Sequence, residues 1–352
     1  LNTYALMPSR IAHHSSRELT MSKPIIYVSD LKKHFKVFKH HRGALRGLRN
    51  LFSREYRWVK AVDGIHFDIQ PGELVGYIGP NGAGKSTTIK MLTGLLVPTS
   101  GELYVNGCVP WRERRTYVAT LGAVFGQRTS LWWDLPVIES LDLLQHVYAI
   151  PPDRFRHNLD EFRTLLDMDP FLDTPVRSLS LGQRMRADIC AALLHDPPLL
   201  FLDEPTIGLD VVAKDRIRTF ITHINHERGT TVILTTHDLS DVEKLCDRVM
   251  IIDHGHLLYD GRLEQLRDRF GGKRELVVDL ANGGATFVPE GAELVSREGR
   301  RLTYRFERSR ITASELIGQL SAHSQIRDLQ VREPEIEETV RRIYEERLLE
   351  QE

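Results

Sequence analysis

The strongest constraint on this chain is the run Gly79-Pro80-Asn81-Gly82-Ala83-Gly84-Lys85-Ser86-Thr87. It follows the apolar, strand-like Leu74-Val75-Gly76-Tyr77-Ile78 and precedes a helical stretch, Thr88 to Leu95. This is G-x-x-x-x-G-K-S in a strand-loop-helix setting, which a plain glycine-rich turn rarely satisfies in full. The glycines let successive backbone N–H groups converge on phosphate oxygens, and the helix N-terminus adds partial positive charge. Lys85 is placed to reach the terminal phosphates of a nucleotide, and the Ser86 hydroxyl to complete a Mg2+ shell.

The rest of the chain must build a sheet around that loop. Its 352 residues correspond to roughly two domains at about 150 residues each. With 41% hydrophobic and 27% charged residues it has the composition of a globular α/β protein, not a fibrous or low-complexity one. No apolar run approaches the ~18 residues needed to span a bilayer, so work at a membrane requires another polypeptide. The balance of 47 basic and 48 acidic residues, net −1, argues against a globally basic nucleic-acid binder. Cys108, Cys190 and Cys246 are too few and too scattered for a disulfide framework or a four-ligand zinc cluster, which fits a reducing compartment. The first residues lack the apolar core of a secretory signal. Met21 is a candidate start, with residues 1–24 as an unstructured extension.

From Ile25 onward, short apolar runs alternate with helical patterns, the rhythm of a mostly parallel sheet covered by helices. Leu74 to Ile78, Leu199 to Leu202, Thr231 to Leu234 and Val249 to Ile252 are too apolar for exposed edges and belong at the sheet centre. Across about residues 128–195 the pattern turns helical, with Leu141, Leu144 and Val147, and then Phe162, Leu165 and Leu166, at helical spacing. We expect a helical subdomain there, inserted into a main domain of residues 25–272. An accessory α+β domain is expected over residues 273–352, from strand patterns at Glu275 to Leu280 and Arg301 to Phe306 and helical ones at Ala313 to Leu320 and Glu335 to Leu349.

Two further strand ends carry chemistry. The Leu199 to Leu202 strand ends in Asp203-Glu204-Pro205, and adjacent carboxylates at the end of a buried strand are costly unless a cation or a reacting water uses them. Asp203 is assigned to Mg2+ and Glu204 to the general base that polarises the attacking water. An acidic strand-ending turn is the plainer alternative. The strand Thr231 to Thr236 ends in His237-Asp238, where a histidine can hydrogen bond the γ phosphate and hold the base, or serve only structure.

These residues, together with Gln127, Leu179-Ser180-Leu181-Gly182-Gln183 and Gly208-Leu209-Asp210, resemble the ATP-binding cassette family over about Ile25 to Gly272. Gln127 matches the family's Q-loop, Asp210 its D-loop and His237 its H-loop. The Ser180 segment resembles the signature L-S-G-G-Q, with Leu181 in place of a glycine. The resemblance implies a P-loop nucleotide hydrolase with an antiparallel β extension. ATP and Mg2+ would be held by the cradle, Gly79 to Thr87, with Lys85, Glu204, His237 and Gln127 as catalytic residues and Ser86, Gln127 and Asp203 at the metal. Ser180, Gly182, Gln183 and Asp210 would meet the nucleotide of a second cassette subunit, in a head-to-tail homodimer or a heterodimer. Tyr56 is the adenine-stacking candidate, with Trp58 and Phe35 as alternatives. The resemblance further implies a separate membrane permease docking near Arg128 to Asp134, with Trp132 and Trp133 as anchors. It places the subunit peripherally on the cytoplasmic face, in an exporter of hydrophobic or drug-like substrates. No specific nucleic-acid binding is expected, although a non-transport cassette ATPase acting on ribosomes or nucleic acid is the competing class.

One segment departs from the family. Lys36 to Arg57 carries Lys36, Lys39, Arg42, Arg46, Arg49, Arg54 and Arg57 against the acid Glu55, with Leu45, Leu48, Leu51 and Phe52 at helical spacing. It is suited to anionic lipid or a permease loop, and equally to a solvated insertion with a packed apolar stripe.

Overall fold

The computed structural model describes residues 23–38, 56–126, 128–270, 273–281, 287–308, 310–334 and 336–350. Residues 39–55, most of the basic insert, and nearly all of the expected N-terminal extension lie outside them, as does Gln127.

The described residues begin with two long antiparallel strands, β1 (Ile26–Phe38) and β2 (Tyr56–Ile69). The buried strand β3 (Leu74–Ile78) leads through the glycine-rich loop into helix α1 (Lys85–Leu92). Strand β4 (Ser100–Val105) then pairs antiparallel with β1, giving a small sheet in the order β2-β1-β4. A short helix α2 (Arg114–Val118) and strand β5 (Leu121–Phe125) follow. A helical block comes next: α3 (Val137–Val147), α4 (Pro152–Leu165) and α5 (Leu181–Leu193). The chain returns through β6 (Leu199–Asp203), α6 (Val211–Arg228), β7 (Thr231–Thr235), α7 (Leu239–Leu245), β8 (Arg248–Asp253), β9 (His256–Arg262) and α8 (Leu263–Phe270).

The main sheet has the order β5-β6-β7-β3-β8-β9, parallel except for the β8/β9 pair. Its central strands are apolar throughout because both faces are covered. In β6, Leu200 and Leu202 enter one core with α5 and α6, whereas Leu199 and Phe201 enter another beneath α1 and the small sheet. In β8, Val249 and Ile251 divide from Met250 and Ile252 in the same way. Period-two alternation into two apolar layers therefore makes the middle of these strands hydrophobic at consecutive positions, with polar residues such as Asp203 and Arg248 at their ends. Each fully buried Leu, Ile or Phe contributes about 1.5–3 kcal/mol. In the helical block Leu141, Leu144 and Phe162 are buried, but Val147 at the end of α3 is 67% exposed.

Beyond α8 a second antiparallel sheet has the order β11-β12-β10-β13, built from β10 (Arg274–Leu280), β11 (Ala292–Glu298), β12 (Arg301–Phe306) and β13 (Ile326–Arg332). Its apolar face packs on α9 (Ala313–His323) through Leu276, Val278, Leu302, Tyr304, Leu316 and Leu320. The final helix α10 (Ile336–Glu350) leaves that sheet and returns to the main domain, burying Ile336, Val340 and Ile343 in the same core as Val242, Leu263 and Leu266.

Candidate functional site

The sheet order brings the carboxyl ends of β3, β5, β6 and β7 to one edge, the place where open parallel sheets bind ligands. The phosphate-loop residues leave β3 there. Ala83 N–H donates to the Pro80 carbonyl (3.1 Å), and Gly84 caps α1 with φ of 114°. A Cβ on Gly84 would lie 2.4 Å from the Ala61 carbonyl oxygen, so both the conformation and the approach of β2 demand glycine. Lys85 is 7% exposed, and its ammonium donates to the carbonyls of Gly79 (2.6 Å) and Pro80 (3.2 Å), which curls the loop around it. Burial lowers the Lys85 pKa, while the Glu204 and Asp203 carboxylates act against that shift. Pro80, Asn81, Gly82 and Ser86 are exposed, Thr87 is half-buried and Ala83 is buried.

Facing this loop, Ser86, Asp203, Glu204, Gly126 and Arg128 line one cleft of about 370 Å³. Asp203 accepts the Thr235 hydroxyl at 2.5 Å, which leaves carboxylate lone pairs for other donors or a cation. The sequence did not single out Thr235; its place at the end of the strand beside β6 is the only signal it offers. Glu204 adopts φ of 59°, a left-handed conformation uncommon outside glycine. Its N–H donates to the Thr235 carbonyl (3.0 Å), and its Oε2 lies 2.5 Å from His237 Nδ1. An oxygen-only pair, the Ser86 hydroxyl and the Asp203 carboxylate, fits Mg2+ better than a softer metal. Gln127 itself is outside the described residues. Its neighbours bracket the site: Gly126 N–H donates to the Asp203 carbonyl (2.8 Å) and Arg128 N–H to the Phe125 carbonyl (2.8 Å).

The signature segment is elsewhere. Ser180 is the N-cap of α5, its Oγ accepting from Gln183 N–H (3.2 Å) while Gln183 Oε1 accepts from Ser180 N–H (2.9 Å). This reciprocal box orients an exposed serine whose hydroxyl oxygen serves in it as an acceptor. Leu181 packs toward Gly208, where a Cβ would meet Leu181 Cδ2 at 3.1 Å, and Gly182 lies against Ala213. Asp210 caps α6, its Oδ1 accepting from Ala213 N–H at 2.8 Å. Ser180, Gly182, Gln183 and Asp210 thus form one patch, and none of them lines the cleft between Ser86 and Asp203. A further tie missed in sequence is Asp188 of α5, which accepts from the Thr129 hydroxyl (2.8 Å) and Ser130 N–H (2.9 Å), fastening the signature helix to the segment after Gln127.

Of the aromatic candidates, Tyr56 is 44% exposed, Trp58 57% and Phe35 36%. Tyr56 and Trp58 meet edge to face at 5.9 Å, and the Lys36 ammonium sits 3.8 Å from the Tyr56 ring centre. Trp132 and Trp133 are both exposed, with the Arg184 guanidinium over Trp133 at 5.8 Å.

A glycine-rich loop between a central parallel strand and a helix, facing a strand-end carboxylate pair, defines a P-loop nucleoside triphosphatase. The family model described as ABC transporter matches residues 62–207. The ABC transporter ATP-binding protein NatA of Bacillus subtilis is 32% identical over 61% of this chain and 87% of its own length. The linearmycin resistance ATP-binding protein LnrL of the same organism is 35% identical over 63% of this chain and 70% of its own. Among solved structures, a dimeric post-hydrolysis ATP-binding cassette bound to ADP and Pi aligns with a TM-score of 0.56 at 25% identity, over 68% of this chain and 98% of that one. This chain belongs to the ABC transporter family as an ATP-binding subunit. Family members are ATPases that bind ATP, typically with Mg2+.

Proposed function

We propose that the chain hydrolyses ATP between two cassettes arranged head to tail, and that the resulting opening and closing drives a separate membrane permease. The observation that carries this reading is the separation of two half-sites on one chain. Lys85, Ser86, Asp203, Glu204 and His237 gather at the sheet edge, while Ser180 and Asp210 form a distinct exposed patch. A second copy, or a related subunit, supplies the missing half.

In this reading the loop from Gly79 to Thr87 binds the phosphates through its N–H groups, with Lys85 as counter-charge. Ser86 and Asp203, with Gln127, hold Mg2+, which when bound neutralises phosphate charge. Glu204 takes the proton of the attacking water, and His237 holds the Glu204 carboxylate and hydrogen bonds the γ phosphate. Ser180 donates a hydrogen bond from its hydroxyl to the phosphate held by the partner, so ATP favours the closed pair and its loss releases it. Tyr56 or Trp58 stacks on adenine; the Lys36 ammonium already over Tyr56 favours Trp58. Trp132 and Trp133 anchor the permease at the cytoplasmic face, and the substrate is a hydrophobic or drug-like compound moved outward, a reading supported by the relative named for linearmycin resistance. Among the described residues no helix is long and apolar enough to cross a membrane.

The test uses the full chain with Mg2+ and ATP. Glu204→Gln should lower phosphate release by about 10²- to 10⁴-fold and accumulate a nucleotide-bound dimer, read by light scattering. Undiminished phosphate release, or a variant that stays monomeric with ATP bound, rejects the reading.

A further inference from the structure

Asp241 lies on α7 and is fully buried, yet nothing in the nucleotide reading uses it. Its Oδ1 accepts from Arg218 Nε at 2.6 Å, and Arg218 on α6 is itself only 7% exposed. Its Oδ2 accepts the buried hydroxyl of Thr206 and lies 3.5 Å from the Thr236 hydroxyl oxygen. Arg218 also donates to the Ser240 hydroxyl (3.0 Å), and Asp238 N–H donates to Thr236 Oγ1 (3.0 Å). One buried carboxylate therefore holds the turn just after Glu204 and lies 3.5 Å from the hydroxyl of the residue just before His237, which is equally far from the Asp238 carbonyl oxygen.

A buried ion pair is seldom the most stabilising way to fill a core, because apolar residues of the same volume avoid the desolvation cost. What it supplies instead is direction, since a satisfied polar network accepts few arrangements. Glu204 needs such a constraint. Its left-handed backbone persists only where the surroundings over-determine it, and its carboxylate must meet His237 from a different strand.

We propose that Asp241, held by Arg218, is a positioning residue that sets the Glu204–His237 contact through Thr206 and Thr236. It touches no nucleotide and acts by fixing where the base and its partner stand. The inference rests on the reading of Glu204 and His237 as the hydrolytic pair.

Thr206→Val tests it most cleanly, because it removes the hydroxyl and keeps the volume. In the full chain with Mg2+ and ATP, kcat should fall about tenfold to a hundredfold while KM changes less than about twofold. Thr206→Ser should restore kcat. In a His237→Ala background Thr206→Val should change turnover by less than about twofold, since the two losses act through one contact. Without nucleotide, the His237 Nδ1 signal in 15N spectra should move toward that of a histidine without a carboxylate partner in Thr206→Val. Asp241→Asn should reproduce the kcat loss. Normal kcat in Thr206→Val, no rescue by Thr206→Ser, or an undiminished effect in the His237→Ala background overturns the proposal. Full turnover in Glu204→Gln rejects the parent reading instead, and wild-type chain that releases no phosphate rejects both.

Discussion

Glu204 and His237 stand at the ends of adjacent parallel strands, 33 residues apart in the chain, with carboxylate oxygen and imidazole Nδ1 2.5 Å apart. The contact unites a candidate base with a candidate orienting group. Only β6 and β7 lying side by side makes it.

Replacing His237 with Ala should lower kcat by about 10²-fold or more with little change in KM for ATP, because the histidine serves the reacting geometry more than ground-state binding. Steady-state phosphate release checks this. A rise in KM at constant kcat would assign His237 to binding alone.

Gly84→Ala should damage the phosphate loop. The added Cβ must displace the Ala61 carbonyl, and φ of 114° is unfavourable for any L side chain. A loss of about 1–3 kcal/mol is expected from the backbone strain alone. It should be read as a lower thermal midpoint and weakened binding of a fluorescent ATP analogue. Gly229→Ala, where no neighbour lies within reach of the Cβ, is the matched control for positive φ alone.

Asp238 gives a pH dependence of definite sign. Burial pushes its pKa up, but hydrogen bonds from Lys214 and Ser240 outweigh that and hold it down to about 2. A carboxyl depressed in the fold stabilises it above the unfolded pKa, and that contribution is lost as pH falls from about 4 through about 2. Asp238→Asn should therefore cost roughly 1 kcal/mol at neutral pH and flatten the stability curve in that acid window. Denaturant titrations at stepped pH measure both effects. Equal slopes for the two proteins below pH 4 would remove the assignment.

Ile336→Ala should destabilise the main domain and not only the tail, by about 2–5 kcal/mol, because Ile336 is fully buried among residues of α7 and α8. Hydrogen exchange should show faster opening of α7 and α8, with the small C-terminal sheet little changed. Exchange confined to residues beyond 313 would contradict the packing.

The sequence alone determined the parts whose information is local. The phosphate loop needs glycine, lysine and serine at fixed spacing, and the strands buried on both faces read as continuous apolar runs because every second residue enters a different core. Those signals carried the fold class and most candidate site residues. The edge strands β11 and β13 were not legible, since exposed edges carry charges that erase the apolar pattern. Nor was the return of α10 to the main domain, because a helix's apolar stripe does not name its partner. The tertiary structure decided the rest: the Thr235 hydroxyl on Asp203, the left-handed Glu204, and the Arg218 and Asp241 pair beneath the site. These depend on which strand lies beside which, a choice made by burial over the whole domain.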